Sequence, residues 1–104
     1  MFESIKKAFG LEKPDLAQLV KAGAIILDVR SAREYAGGHI EGSMNIPVGE
    51  LEKNLQRFKD KSKTIITCCA SGMRSASAKN FLQSHGYTNV HNGGGWESLK
   101  QQIK

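Results

Sequence analysis

Residues 24 to 29, Ala24-Ile25-Ile26-Leu27-Asp28-Val29, form an apolar run of strand length interrupted by one carboxylate. A strand with one wet face alternates apolar and polar side chains. A run without alternation suits a strand covered on both faces, the setting of a parallel sheet. Parallel neighbours need crossover connections, so helical segments are expected between the strands.

The remaining sequence alternates in that way. Pro14-Asp15 starts a helix through Lys21, with Gly23 as its C′ residue. Ser31-Ala32-Arg33-Glu34 spells a capping box and places a short helix. Gly37, Gly38 and Gly42 bracket His39-Ile40 in a tight turn segment, and Met44-Asn45-Ile46 reads as a short strand ended by Pro47. Leu51, Leu55 and Phe58 recur at helical spacing, and the charged turn Lys59 to Lys63 leads into a strand over Thr64 to Cys68. A helix from Ser75 carries Ala78, Phe81 and Leu82 inward and stops at Gly86. A short strand near Thr88 to Val90 precedes Gly93-Gly94-Gly95, and Trp96, Leu99 and Ile103 mark a last helix. The class is α/β with a mainly parallel sheet.

With 104 residues, the chain has room for one core. The expected organisation is an N-terminal amphipathic extension over residues 1–13, with Phe2, Ile5 and Phe9 on one stripe, and one domain over residues 14–104. The net charge of +5 is spread along the chain, and no basic run is interleaved with its seven aromatics, so no nucleic-acid partner is expected. No stretch approaches the ~18 apolar residues of a membrane span, and the N-terminus lacks the apolar core of a secretory signal. The two cysteines, Cys68 and Cys69, are adjacent, a spacing that strains a disulfide; without a His/Cys cluster they make no zinc site. A reduced, cytoplasmic protein without cofactor or metal is expected; oligomeric state is left open.

Both cysteines fall where a β-branched run, Thr64 to Thr67, meets a small-residue loop and the start of a helix near Arg74-Ser75. Backbone N–H groups and the positive end of the helix dipole converge at such a junction. They lower a thiol pKa and attract an anion, which suggests a thiolate nucleophile acting on an anionic substrate.

Three ordered segments resemble the single-domain rhodanese (thiosulfate sulfurtransferase) family. They are Asp28-Val29-Arg30 with Glu34-Tyr35 and Gly38-His39-Ile40-Glu41-Gly42-Ser43-Met44-Asn45-Ile46-Pro47; then Cys69-Ala70-Ser71-Gly72-Met73-Arg74-Ser75; then Gly93-Gly94-Gly95-Trp96. The likeness covers about residues 15 to 103. It implies a rhodanese-like sheet of about five strands with helices on both faces. It also implies that Cys69 takes a sulfane sulfur from a small anionic donor such as thiosulfate, holds it as a persulfide, and passes it to cyanide, a thiol or a protein acceptor. The residues agree with this. Amides of Ala70, Ser71, Gly72, Met73 and Arg74 can curl around one point, Arg74 would attract the donor, and Ser75 can cap the helix. Met73, the one large loop side chain, is expected to be exposed toward the acceptor.

Two counts compete. From Cys69 the spacing is Cys-x4-Arg, a loop sized for sulfur; from Cys68 it is Cys-x5-Arg-Ser, the pattern of cysteine phosphatases and arsenate-reductase-like enzymes. Thr67 stands where those phosphatases place a histidine, and the loop holds no acid for a leaving group, so Cys69 is favoured. Strand alternation then turns Cys68 to the opposite face as a small buried hydrophobe. A non-enzymatic binding module is the third reading. Asp28 is expected to bind Arg33 or a nearby backbone, His39 to be a turn residue bonded to backbone, and His85 and His91 to lie at the surface or a strand end. Trp96 is read as core.

Overall fold

The computed structural model describes residues 14–104. Their four strands, β1 (Ile25–Asp28), β2 (Met44–Asn45), β3 (Ile65–Cys69) and β4 (Val90–Gly95), form one sheet in the order β2-β1-β3-β4. Every pairing is parallel. The expected count of about five strands is thus four among the described residues. The N-terminal stripe Phe2/Ile5/Phe9 lies outside them.

The two apolar runs became the two central strands, β1 and β3, which pair from Ile25↔Ile65 to Asp28↔Cys68. Period-two alternation sends their side chains to two separate cores. Leu27, Ile65 and Cys69 face one cluster with Ile46, Leu51, Phe58, Ala78, Leu82, Tyr87 and Val90. Ile26, Ile66 and Cys68 face the other, with Ile40, Leu99 and Trp96.

The helices divide between these faces. Helix α1 (Leu16–Lys21) is capped by the Asp15 carboxylate, which accepts from Gln18 N–H, and it ends where Gly23 adopts φ +105°. Helix α2 (Ala32–Ala36) has the full capping box between Ser31 and Glu34. Helix α3 (Met73–Ser84) buries Ser75, Ala78 and Leu82 on the first cluster. Helix α4 (Trp96–Gln102) buries Leu99 on the second, beside Leu16, Leu19 and Val20 of α1. The segment expected as a helix around Leu51 to Phe58 is 3-10 turn instead, Val48–Glu50 and Glu52–Arg57. Its tighter winding still directs Leu51 and Phe58 inward. The last strand runs to Gly95, so the three glycines are strand residues and not a loop beyond a short strand.

A buried ion pair joins the first and third sequence motifs. Asp28 and Arg30 side chains are 1% and 5% exposed, and Arg30 Nη2 donates to Asp28 Oδ2 at 2.8 Å. The same Nη2 donates to the Gly38 carbonyl at 2.7 Å, and the guanidinium lies 4.7 Å from the Trp96 ring centre. The Asp28 side chain thus pairs with Arg30 and not with Arg33, while its Oδ1 also accepts from the Arg30 backbone N–H at 3.0 Å, the nearby backbone bond expected of it. Arg30 is buried, whereas Arg33 is exposed. Trp96 packs against the second core with part of its ring exposed.

Candidate active site

Strand β3 ends at Cys69, which pairs with Gly95 across an irregularity in the ladder. The chain then turns through Ala70, Ser71 and Gly72 into α3. Gly72 stands at the N-cap with φ +102°, and a Cβ there would meet Gly94 Cα at 3.5 Å. A Cβ on Gly95 would come 3.0 Å from the Ala70 carbonyl oxygen. Small residues on both segments allow the loop to fold down onto the end of β4. The positive φ at Gly72 reverses the chain so that amides point back at the sulfur.

Gly72 N–H donates to Cys69 Sγ at 2.9 Å and Ser75 N–H at 3.4 Å, and the Cys69 thiol donates to Ser75 Oγ at 3.5 Å. Burial pushes the thiol pKa up. Hydrogen bonds from the Ser75 hydroxyl and from the Ser75, Gly72 and Ser71 backbone outweigh it, leaving Cys69 below its ordinary value of 9.0. Cys69 is fully buried beneath the loop, so the charge of a thiolate is met by amides and not by water.

Ser75 does not cap the helix as expected. It lies within the first turn, and its hydroxyl donates to Asn92 Oδ1 at 2.6 Å or to the Gly72 carbonyl at 3.0 Å. Having one proton, it serves one acceptor at a time, so a thiolate competes with Asn92 for it. Asn92 also accepts from Gly94 N–H at 2.9 Å, and buried Thr67 donates to the Ser75 carbonyl at 2.9 Å. Neither Asn92 nor Thr67 is legible in the sequence as a support for the loop, because the bonds that tie each to Ser75 follow no local motif.

The other loop residues separate by position. Ala70 and Ser71 form the exposed crest, and Met73 is 80% exposed beside it. Arg74 extends sideways to Glu34, with Nη1 to Oε1 at 2.7 Å and Nη2 to Oε2 at 2.9 Å. The Arg74 hydrogen bonds hold the Glu34 carboxyl down at about 2. Glu34 is legible in the sequence as a helix cap and as part of the first resembling segment, but not as the partner of Arg74.

Cys68 faces away, toward Ile26, Ile40, Ile66 and Leu99. Burial pushes its thiol up to about 12, and Asp28 adds to the effect while Arg30 opposes it. Fully buried in that apolar cluster, it is turned away from the loop amides that the Cys-x5-Arg reading needs around its nucleophile. Both cysteines are free. His39 is the turn residue expected, its Nδ1 2.8 Å from the Tyr35 carbonyl oxygen and its ring stacked on Tyr35 at 3.8 Å. His91 is half-buried with Nε2 3.0 Å from Asn89 Oδ1; burial, and then Lys79, lower its pKa. Among the described residues no group of His, Cys, Asp and Glu side chains could hold a metal, and no helix is long and apolar enough to cross a membrane.

A nucleophile-sized loop between a parallel strand and a helix, braced by a glycine-rich neighbouring strand, defines a class that comparison identifies. The chain matches the family model for the rhodanese-like domain over residues 12–102 and belongs to that family. Among its relatives, the thiosulfate sulfurtransferase PspE of Escherichia coli is 35% identical, over 70% of this chain and 71% of that protein. The human thiosulfate:glutathione sulfurtransferase is 36% identical, over 76% and 81%. The solved human single-domain sulfurtransferase TSTD1 superposes with a TM-score of 0.74 at 33% identity, covering 85% of this chain and 91% of that one. A structure described as a rhodanese with anions from E. coli gives 0.69 at 35%, over 73% and 91%.

Proposed function

We propose that this protein is a sulfurtransferase of the thiosulfate sulfurtransferase type, working through a persulfide on Cys69. The observation that carries the reading is the convergence of Gly72 N–H and Ser75 N–H on a Cys69 sulfur whose pKa is lowered. The thiolate attacks the outer sulfur of thiosulfate. The S–S bond of the donor breaks, sulfite leaves with the electron pair, and a Cys69 persulfide anion remains. An acceptor thiolate or cyanide then attacks the outer persulfide sulfur and restores the Cys69 thiolate. No separate base is needed in either half, because the attacking thiolate is populated beforehand. In this reading the amides that stabilise the thiolate also stabilise the persulfide anion that replaces it.

Ala70, Ser71, Gly72, Met73, Arg74 and Ser75 form the donor-binding loop in this reading, and exposed Met73 offers an apolar contact to a thiol or protein acceptor. The names of the relatives supply thiosulfate as donor and glutathione as one acceptor to try first. The working unit is assigned to residues 14–104, with 1–13 as an extension, and two free thiols suit a reducing, cytoplasmic setting. Incubation with thiosulfate is expected to add one sulfur atom to the intact protein. The gain should vanish in Cys69→Ser and persist in Cys68→Ser. An unchanged mass across several sulfane donors would defeat the proposal.

A further inference from the structure

Arg74 is the cation of the loop, and Glu34 already occupies it. Both carboxylate oxygens accept from the guanidinium, in a fork that joins α2 to the start of α3. Glu34 is not free to turn aside. Its Oε1 also accepts from Ser31 N–H at 3.0 Å, and its backbone N–H donates to Ser31 Oγ at 3.2 Å. The capping box needs only a Glu or Gln oxygen at this position, so the helix does not account for the full negative charge. That charge meets Arg74. The side chains are 38% and 39% exposed, which puts the pair at the rim of the site and not in the core. Glu34 takes two of the five guanidinium N–H groups.

We propose that Glu34 sets the charge selectivity of the sulfur-transfer site by neutralising Arg74 beside the Cys69 loop. The inference rests on the sulfur-transfer reading above and deepens it. Thiosulfate arrives as a dianion, and sulfite departs with a similar charge. Any attraction that captures the donor more tightly therefore also retains the product, without favouring the transition state. Glu34 tempers that attraction and leaves the backbone amides to recognise the transferred sulfur. A pocket with an unpaired arginine in its place would retain dianions of every kind, sulfate and phosphate included.

Glu34→Gln keeps the cap and removes the charge. KM for thiosulfate is expected to fall about tenfold and KM for monoanionic benzenethiosulfonate about threefold, the effect of one carboxylate several ångströms away in a water-like dielectric. Sulfate should inhibit more tightly by a factor similar to the thiosulfate change, and the differences should shrink at high salt. Ser31→Ala weakens the cap but leaves carboxylate and arginine in place, so the ratio of the two KM values should not move. Parallel changes for both donors, a rise in KM for thiosulfate, or the same ratio change in Ser31→Ala would overturn the proposal. Sulfate protection of Cys69 against iodoacetamide reads the same charge effect without turnover. If wild-type protein takes up no sulfur, the sulfur-transfer reading falls. If it does take up sulfur, and sulfate protects wild type and Glu34→Gln equally, the role of Glu34 falls.

Discussion

At the scale of single residues, two adjacent cysteines acquire opposite chemistry because a strand turns successive side chains to opposite faces. Cys69 meets amides and is lowered; Cys68 meets hydrocarbon and is raised to about 12. Iodoacetamide near neutral pH should therefore modify one thiol, with an adduct by intact mass that Cys69→Ser removes. The reaction rate should titrate with a midpoint below the ordinary thiol value of 9.0. Cys68 predicts the reverse at alkaline pH. Its folded pKa is raised, so its contribution is intact below 9.0 and is lost as pH climbs from 9.0 toward about 12. Cys68→Ala should accordingly shift the alkaline end of a melting-temperature profile upward. Glu34 is the acid counterpart. Its folded pKa is depressed from 4.5 to about 2, so the pairing contributes above 4.5 and is lost as pH falls through about 2. An NMR titration of the Glu34 carboxyl that gave a midpoint near 4.5 would mean the Arg74 pairing is absent in solution.

At the scale of elements, the loop owes its shape to the strand beside it. A Cβ on Gly93 would come within 2.9 Å of Ile66 Cγ2, Leu99 Cδ2 and the Thr67 carbonyl oxygen. Gly93→Ala is expected to destabilise by about 1–3 kcal/mol through overpacking, visible in urea unfolding. Asn92→Ala acts differently, because Asn92 is exposed and its carboxamide ties Ser75 Oγ to Gly94 N–H. Stability should change little while the rate of Cys69 alkylation changes, since Ser75 loses its competing acceptor. The wider lesson on legibility lies at this scale too. Helix α2 could be read from Ser31 and Glu34 because a capping box is local. The 3-10 character around Leu51 to Phe58 could not, because apolar spacing at i, i+4, i+7 does not distinguish an α-helix from tight turns that bury the same residues.

For the whole molecule, Arg30 is the knot among distant segments. It neutralises buried Asp28, binds the Gly38 carbonyl and lies over Trp96, so the first and third motifs share one side chain. Arg30→Leu would strand a carboxylate that is 1% exposed. A loss of about 3 kcal/mol is expected, measured by chemical denaturation. Arg30→Leu combined with Asp28→Leu should recover part of it, since an apolar pair leaves no unpaired charge. Recovery of nothing would mean that the Gly38 and Trp96 contacts, and not the charge balance, dominate.

Local pattern sufficed for whatever depends on neighbours in the chain. The unalternating runs of β1 and β3 made the parallel sheet legible, and Gly72 with the small residues around it made a sulfur-sized loop after Cys69 legible. The opposite facing of the two thiols followed from strand periodicity alone. Tertiary structure decided what depends on juxtaposition. It brought Asn92 to Ser75 and Glu34 to Arg74, and it selected Arg30 rather than Arg33 for Asp28. Side chains 17 and 40 positions apart carry no periodic trace of each other, and the core alone places them within hydrogen-bond reach.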